Sequence, residues 1–362
     1  MKEEKTLKID SKWAAQEPFQ FFGPCSAESL EQLDATAKQV AAIKNNIFRA
    51  GVWKPRTRPG SFQGIGEEAL NWLVAIKEKY HLKVATEVAH PDHLEKALKA
   101  GIDVLWIGAR TTVNPFSVQA LADALQGIDV PVFVKNPINP DLSLWMGALE
   151  RINKAGITKL GAIHRGFHLN DNGPYRNTPN WNLAIQLKAT YPELPVVCDV
   201  SHIGGKSELI PHLAQKALDL DMDGLMIETH HQPDQALSDK QQQLTPKRLK
   251  EILGELVQKK SACYDQEFQN RLELLRAEID KVDDDLIDRI AHRMEIVKQI
   301  GQYKKDNQVT ILQLERWKEI LKRALKNGAA LGVESEFIEV FYNAIHDESI
   351  RQQTIIQSKD DR

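Results

Sequence analysis

Eight short apolar runs, each the length of a β-strand, recur between residues 19 and about 260 and constrain the fold more than any other feature. They are FQFFG (19–23), IFRAGVW (47–53), KVATEV (83–88), VLWIGA (104–109), PVFVKN (131–136), LGAIHRG (160–166), PVVCDVSH (195–202) and GLMIETH (224–230). Helix-like amphipathic segments such as HPDHLEKALKAG separate most of the runs. This alternation predicts an α/β fold, a (β/α)8 TIM barrel, with a doubly wound parallel sheet as the main alternative.

The pattern changes after Lys260. From Phe268 to about Lys305 the chain has no proline and one glycine, and apolar residues recur at helical spacing, which predicts one long helix. Two further helices are predicted at about 312–327 and 335–357, separated by NGAALGV. The sequence therefore predicts two domains, a barrel over residues 1–260 and an all-α three-helix domain over residues 261–362.

Composition and charge narrow the class of protein. The 362 residues carry a formal net charge of −3 and 42% are hydrophobic, which favours a globular protein over one that captures nucleic acid or a membrane surface by charge. No apolar run reaches the roughly 20 residues that span a bilayer, and MKEEKTLKID lacks the apolar core of a signal peptide. The three cysteines, Cys25, Cys198 and Cys263, are too few and too irregular for a disulfide framework, which predicts a cytoplasmic protein.

Charged side chains follow most of the predicted strands at their carboxyl ends, where a barrel enzyme keeps its active site. One charged residue at a strand end is most often a solvated surface group, but many at a single rim predict a site. The cations of this set are Arg49, Lys54, Arg56, Arg110, Lys135 and Arg165. Guanidinium groups pair well with phosphate and carboxylate, so the set predicts substrates with several negative charges, such as phosphorylated sugars or acids.

A second set consists of Cys25, His202, Glu228 and Asp239. A thiolate, an imidazole and two carboxylates suit a borderline divalent ion of the Mn, Fe, Zn or Co class, and Mg sites seldom use sulfur. Each residue alone has a structural alternative, His202 as a histidine satisfied in the core and Cys25 as a small apolar side chain. Their spacing does not decide between the two interpretations.

Several of these residues lie in motifs that resemble those of the DAHP synthases, which make 3-deoxy-D-arabino-heptulosonate 7-phosphate. The motifs are GPCSAES (23–29), KPRTRPGSFQGIG (54–66), IGART (107–111), HRG (164–166), CDVSHIGG (198–205) and SDKQQQLTP (238–246). The chain resembles the short form, which shares its barrel with 3-deoxy-octulosonate 8-phosphate synthase. The resemblance implies condensation of phosphoenolpyruvate with erythrose 4-phosphate and release of phosphate, the first step of the shikimate pathway.

The resemblance also implies roles for the residues. A divalent metal would be held by Cys25, His202, Glu228 and Asp239. Phosphoenolpyruvate would be held by Arg110, Lys135 and Arg165, with Arg49 and Glu87 nearby. The KPRT motif, Lys54, Pro55, Arg56 and Thr57, favours the four-carbon aldehyde phosphate. Lys54 is expected to give a proton to the aldehyde oxygen, and Glu87 and a metal-bound water are the two candidates for delivering the water that adds at C2.

The helical domain resembles the all-helical chorismate mutases over about residues 268–355. The resemblance implies rearrangement of chorismate to prephenate by Arg276, Arg293, Lys304, Arg316 and Gln352, with Lys304 and Gln352 at the ether oxygen. Such a reaction needs a folded dicarboxylate beside positive charge and no nucleophile. Gln313 and Trp317 stand where many relatives have an Asp and a Glu. Arg276 lies about 25 Å along the helix from Arg293, so a catalytic Arg276 predicts a homodimer with interlocked helices.

Two alternatives to this bifunctional enzyme stay open. The helical domain could be an inactive module for dimerisation or regulation, or the barrel could be an octulosonate 8-phosphate synthase that uses arabinose 5-phosphate. Because about 18 residues precede the first strand, any feedback is expected to act through the helical domain, with prephenate as the effector.

Overall fold

The structure is a computed structural model and describes residues 6–15, 18–54, 60, 62–169, 173–259 and 265–358. The chain separates into two compact units, Met1–Ser261 and Ala262–Arg362. The division falls within residues 260–264, which lie outside the described ranges, so the predicted boundary after residue 260 stays a prediction.

The first unit is a closed parallel barrel in which each strand pairs with the next and β8 pairs with β1. The strands are β1 Phe19–Gly23, β2 Asn46–Arg49, β3 Lys83–Val88, β4 Val104–Ile107, β5 Val132–Lys135, β6 Leu160–His164, β7 Val196–Asp199 and β8 Gly224–Glu228. The predicted (β/α)8 barrel is confirmed, and the doubly wound sheet is excluded because an open sheet would leave its edge strands unpaired.

Side chains alternate between the lumen of the barrel and the layer under the helices, as the two-residue period of a strand requires. A buried cluster fills the lumen and includes Phe21, Ala85, Trp106, Phe133 and Met226. At the amino-terminal end of the strands the ring of Trp13 lies 5.0 Å from that of Phe19. The packed lumen forms a floor, and the polar side chains lie above it at the carboxyl ends of the strands.

Helices surround the barrel and cover its outer face. Those described in the first unit are α1 Ser11–Ala14, α2 Leu30–Val40, α3 Glu68–Tyr80, α4 Pro91–Ala100, α5 Ala109–Thr112, α6 Pro115–Ala124, α7 Leu142–Lys154, α8 Trp181–Thr190, α9 Val200–Gly204, α10 Ile210–Asp219 and α11 Pro246–Glu255. In α10 the buried residues are Ile210, Leu213, Ala214 and Ala217. This spacing puts them on one face, which packs toward the strands.

The second unit consists of α12 Gln266–Asp306, α13 Leu314–Ala330 and α14 Ser335–Gln357. The three predicted helices are confirmed, with ends that differ by at most three residues. α12 begins where the Asp265 side chain accepts a hydrogen bond from the Phe268 N–H. α14 packs against both α12 and α13. Among the described residues, no helix is both long and apolar enough to cross a membrane.

The amino-terminal half of α12 carries an apolar stripe that the other helices of its unit leave exposed. Leu275, Ile279, Val282 and Leu286 recur at spacings of three and four residues and are 40% to 58% exposed. The buried residues of α12 are Met294, Val297 and Gly301, all in its second half. The helix therefore presents an apolar face over its first half, for which α13 and α14 provide no cover.

Candidate active site

A layer of charged side chains lies directly above the packed floor of the barrel. In five strands, a residue of the strand itself that lies two positions after a buried lumen residue is charged, and these residues are Arg49, Glu87, Lys135, Asp199 and Glu228; Arg165 has the same spacing from Ile163 and lies one residue beyond β6. Because parallel strands of a barrel end at the same rim, the five side chains converge there. All but Glu87 are buried. Buried charges require partners, and the pairs that they form define the site.

Cys25, Glu228 and Asp239 come together from distant parts of the chain. Their candidate ligand atoms all lie within 4.8 Å of one another, and Cys25 Sγ lies 3.1 Å from Asp239 Oδ2. Cys25 follows β1, Glu228 ends β8, and Asp239 lies in the loop after β8. The pairing of β8 with β1 brings the first two residues to the same edge, and the loop returns Asp239 to them.

His202 lies at the edge of this cluster. Its Nε2 is 3.7 Å from Glu228 Oε1, and its Nδ1 is 2.8 Å from Asp199 Oδ2. Burial lowers the pKa of His202 despite the opposing charge of Asp199, so the imidazole is neutral at pH 7. A carboxylate at Nδ1 orients the ring and leaves Nε2 as the ligand atom, as in many metal sites. The structure thus brings three of the four predicted metal ligands within 4.8 Å of one another and places His202 beside one of them, Glu228.

The charges of the cluster indicate what fits between its members. Burial, together with the charge of Glu228, raises the pKa of Cys25 to about 12. Burial would also raise the pKa of Glu228 and of Asp239, but the charge of Arg49 holds the pKa of Glu228, and that of Arg176 the pKa of Asp239, below their usual range. A divalent cation among these groups would favour the thiolate and both carboxylates. The donor set therefore fits a borderline divalent metal.

Two residues that the sequence analysis did not identify hold the cluster from outside. Arg176 Nη1 donates to Asp239 Oδ1 at 3.0 Å and to Gln242 Oε1 at 2.6 Å, and Gln242 Nε2 donates to Glu228 Oε2 at 2.8 Å. Contacts of this kind fix the orientation of metal ligands. Gln242 lies in the motif SDKQQQLTP, a signal that could have identified it. Arg176 lies in a loop that offered no comparable signal.

Lys54 borders the cluster, with Nζ 2.8 Å from Cys25 Sγ. A Cβ on Gly51 would lie 3.2 Å from the same Nζ, so the glycine leaves room for the ammonium group. Pro55, Arg56 and Thr57, the rest of the KPRT motif, lie outside the described residues.

Lys135 and Arg165 are buried cations at the rim. Lys135 Nζ lies 2.7 Å from Asp199 Oδ2, and Arg165 donates to Asn177 Oδ1 at 2.7 Å. Burial lowers the pKa of Arg165 to about 10, which still leaves its guanidinium charged at pH 7. Arg110, in α5 after β4, is exposed. Cations that have lost water favour an anionic ligand that restores charge-assisted hydrogen bonds.

Arg49 occupies a different position from the other predicted substrate cations. It is 1% exposed, its Nη1 lies 2.8 Å from Glu228 Oε1, and its Nη2 donates to the carbonyl oxygen of Cys25 at 3.2 Å. In this structure Arg49 therefore lies beneath the metal cluster and balances its negative charge.

Glu87 reaches the rim from β3. Trp106 donates its Nε1–H to Glu87 Oε2 at 2.9 Å. A Cβ on Gly108 would lie 2.1 Å from Glu87 Oε1, so a side chain there would displace the carboxylate. Trp106 was also missed by the sequence analysis, although its position two residues after Val104 in β4 predicts that it faces the lumen.

Three of the predicted mutase residues lie on the packed helices of the second unit. Arg293 donates to Ser349 Oγ at 2.7 Å, and Lys304 Nζ donates to the carbonyl oxygen of Ile311 at 2.5 Å. Gln352 Nε2 donates to Glu348 Oε1 at 2.6 Å. α12 and α14 approach closely here, because a Cβ on Gly301 would lie 3.0 Å from Gln353 Cγ.

The remaining mutase residues are exposed. Arg316 pairs with Glu319 at 3.0 Å on α13, and Arg276 lies 3.8 Å from Glu273 on α12. Arg276 and Arg293 belong to one continuous helix, as predicted, so one chain does not bring them together. Trp317 stacks on His346 with ring centroids 3.9 Å apart, and Gln313 is the N-cap residue of α13 without a side-chain capping bond.

Comparison with known proteins also separates the chain into a barrel part and a helical part. Residues 14–264 match the family described as DAHP synthetase I, and residues 275–354 match chorismate mutase type II. Phospho-2-dehydro-3-deoxyheptonate aldolase of Thermotoga maritima is 33% identical over 234 residues, which is 65% of this chain and 67% of that protein. The 2-dehydro-3-deoxyphosphooctonate aldolase of Francisella tularensis subsp. holarctica is 28% identical over 257 residues, 65% of this chain and 89% of that protein.

Solved structures give the same result. A crystal structure of the DAHP synthase of Thermotoga maritima has a TM-score of 0.59 and 31% identity, covering 65% of this chain and 67% of that one. A truncated form of the enzyme from the same organism has a TM-score of 0.57 and 28% identity, covering 65% and 84%. The chain therefore belongs to the DAHP synthetase I family and carries a chorismate mutase type II domain after its barrel.

Proposed function

We propose that the barrel joins phosphoenolpyruvate to erythrose 4-phosphate, forming DAHP and releasing phosphate, and that the helical domain converts chorismate to prephenate. The observation that best supports the first activity is the cluster of Cys25 and Glu228, both buried, with the half-buried Asp239, at the same rim as the buried cations Lys135 and Arg165. A metal-ligating set beside anion-binding side chains suits a metal-assisted reaction between two phosphorylated substrates.

We assign the metal to Cys25, His202, Glu228 and Asp239, and its identity to the Mn, Fe, Zn or Co class because one ligand is sulfur. When bound, the ion supplies Lewis-acid polarisation of the aldehyde oxygen.

The side chains of the rim perform the other parts of the reaction. Lys135, Arg165 and Arg110 bind the phosphate and carboxylate of phosphoenolpyruvate and direct its C3 toward the aldehyde carbon, so that binding energy is used for orientation. Lys54 gives a proton to the aldehyde oxygen as the bond between these carbons forms. Glu87 accepts a proton from the water that adds at C2, and phosphate then leaves from the resulting hemiketal.

We favour erythrose 4-phosphate over arabinose 5-phosphate as the aldehyde. Two observations support this choice, the KPRT motif of Lys54, Pro55, Arg56 and Thr57, and the 33% identity to a heptonate aldolase against 28% to an octonate aldolase. Arg56 and Thr57 are assigned to substrate binding on the resemblance alone.

Chelation provides the test of both activities in one preparation. Removal of divalent metal from the full chain with EDTA is expected to lower DAHP formation at least about 100-fold, with recovery on addition of Mn²⁺. Chorismate consumption is expected to stay within about twofold, because the rearrangement depends on positive side chains and donors rather than on a metal.

Phosphoenolpyruvate consumption is measured with each aldehyde, erythrose 4-phosphate and arabinose 5-phosphate. A higher kcat/KM for arabinose 5-phosphate, or DAHP formation that EDTA leaves unchanged, would contradict the assignment.

We further propose that the chain forms a homodimer through α12. The apolar stripe of Leu275, Ile279, Val282 and Leu286 is 40% to 58% exposed, and burial of the part of each side chain that is still exposed would gain about 1 kcal/mol. The same half of α12 carries Arg276, about 25 Å along the axis from Arg293. A second copy that covers the stripe would supply its Arg276 to a site that contains Arg293, Lys304 and Gln352 of the first.

The substitution Ile279→Asp is expected to convert the dimer to a monomer and to lower mutase activity at least about tenfold. The reason is that a carboxylate would be buried at the interface without a partner. Sedimentation velocity of the full chain measures the change. Leu331→Asp is the matched control, since Leu331 is an exposed apolar residue at the end of α13. A monomeric parent protein with full mutase activity would exclude the interlocked dimer.

A further inference from the structure

One indole of the packed lumen contacts the charged side chains of the rim. Trp106 is fully buried and faces the lumen from β4. Its N–H holds the Glu87 carboxylate at 2.9 Å, and the bare backbone of Gly108 leaves that carboxylate its space.

The ring of Trp106 also lies beside two cations. The guanidinium carbon of Arg49 is 4.9 Å from the ring centroid, and Lys135 Nζ is 5.7 Å from it. Both distances are within the range of cation–π attraction. Each cation continues to a different side of the metal cluster, Arg49 to Glu228 and Lys135 to Asp199.

The ring of Trp106 reduces the repulsion between the two cations beside it. Arg49 and Lys135 lie against the same ring, and two like charges repel each other strongly where water is excluded. Glu228 and Asp199 pair with the two cations, and the aromatic face attracts both cations as well, without adding a further negative charge that would compete with the anionic substrate. A planar ring with one N–H can therefore fix the positions of two cations and one acid at once.

We propose that Trp106 is a positioning residue for the condensation. Its indole sets the position of Lys135, which binds phosphoenolpyruvate, and of Arg49, which balances the charge of the metal cluster, and it orients the Glu87 carboxylate, so that C3 and C2 of phosphoenolpyruvate are correctly placed. This inference rests on the proposed function of the barrel. It assigns a role to a residue that contacts neither substrate nor metal.

Two substitutions separate the contributions of the ring and the N–H. Trp106→Phe keeps an aromatic face but loses the donor to Glu87, and it is expected to lower kcat about 10- to 100-fold while the KM for phosphoenolpyruvate changes less than about threefold. Trp106→Leu also removes the aromatic face, and it is expected to raise that KM by roughly a further tenfold. Trp145→Phe is the matched control, because Trp145 is equally buried and donates its N–H to the carbonyl oxygen of Val134 outside the lumen.

A second readout does not depend on turnover. Titration of phosphoenolpyruvate into the full chain is expected to change the intrinsic fluorescence of the parent protein and of Trp145→Phe, and to leave that of Trp106→Phe nearly unchanged. Three results would overturn the inference: Trp106→Phe with kcat within twofold of the parent, Trp145→Phe with an equal loss of kcat, or Trp106→Phe with the same fluorescence change on phosphoenolpyruvate binding as the parent. A parent protein that forms no DAHP would instead contradict the proposed function, and this distinguishes the two failures.

Discussion

Replacement of Cys25 by alanine is expected to reduce DAHP formation at least about 1,000-fold and to reduce bound Mn²⁺ or Zn²⁺ to trace amounts. Cys25 offers the sulfur ligand of the cluster, and it contacts both Asp239 and Lys54. Without the thiolate, the cation would keep only the carboxylates of Glu228 and Asp239 and the imidazole of His202 as ligands. Metal analysis of the purified variant, followed by an assay with added Mn²⁺, measures the effect. Chorismate consumption is expected to be unchanged.

Cys198→Ala provides the matched control. Cys198 is also a fully buried free cysteine, but it lies on the side of β7 that packs under the helices. Its replacement is expected to cost some stability and to leave metal content and DAHP formation within about twofold of the parent. If Cys25→Ala kept its metal and its activity, the metal assignment and the mechanism built on it would both be wrong.

Replacement of Lys304 by alanine is expected to lower chorismate mutase activity at least about 1,000-fold and to leave DAHP formation unaffected. The ammonium group is assigned to the ether oxygen, where charge develops as the bond breaks, so its effect appears in kcat more than in KM. In this structure Lys304 Nζ is held by the carbonyl oxygen of Ile311, and burial lowers its pKa. Initial rates of chorismate consumption by the full chain provide the measurement.

Lys305→Ala is the matched control because the neighbouring lysine also donates to a backbone carbonyl, that of Ile356, at 3.1 Å. It is expected to retain mutase activity within about threefold. Equal losses in the two variants would indicate a structural effect at the end of α12. Full activity in Lys304→Ala would favour the alternative in which the helical domain regulates the barrel and does not catalyse.

The barrel could be predicted because its signal is local and repeated. Each apolar run has the length of a strand, and the rule that the chemistry lies at the carboxyl ends then identified Lys135, Glu87 and Glu228 as neighbours. The roles of Cys25 and Asp239 came from the resemblance of whole motifs, since their spacing carries no metal signature.

The pairing of charges could not be predicted in the same way. Arg49 belongs to the set of cations by residue type, but its pairing with Glu228 depends on the register between β2, β1 and β8. Arg176 reaches Asp239 through two loops, and Asp239 adopts a left-handed φ of 48°. Loop conformations of this kind depend on packing across the rim, which periodicity in the sequence does not describe. Trp106 was predictable as a lumen residue, but its contacts with two cations were not.

The seam between β1 and β8 has a consequence for how the barrel folds. It joins the first strand to the last, so it is the pairing with the largest loop-closure entropy, and it can form only after the intervening chain is in place. Cys25 and Glu228 lie on opposite sides of this seam. A cation that binds both residues would link the two ends of the barrel. Its dissociation would lower the free energy of unfolding, because the pairing of β1 with β8 would lose that link.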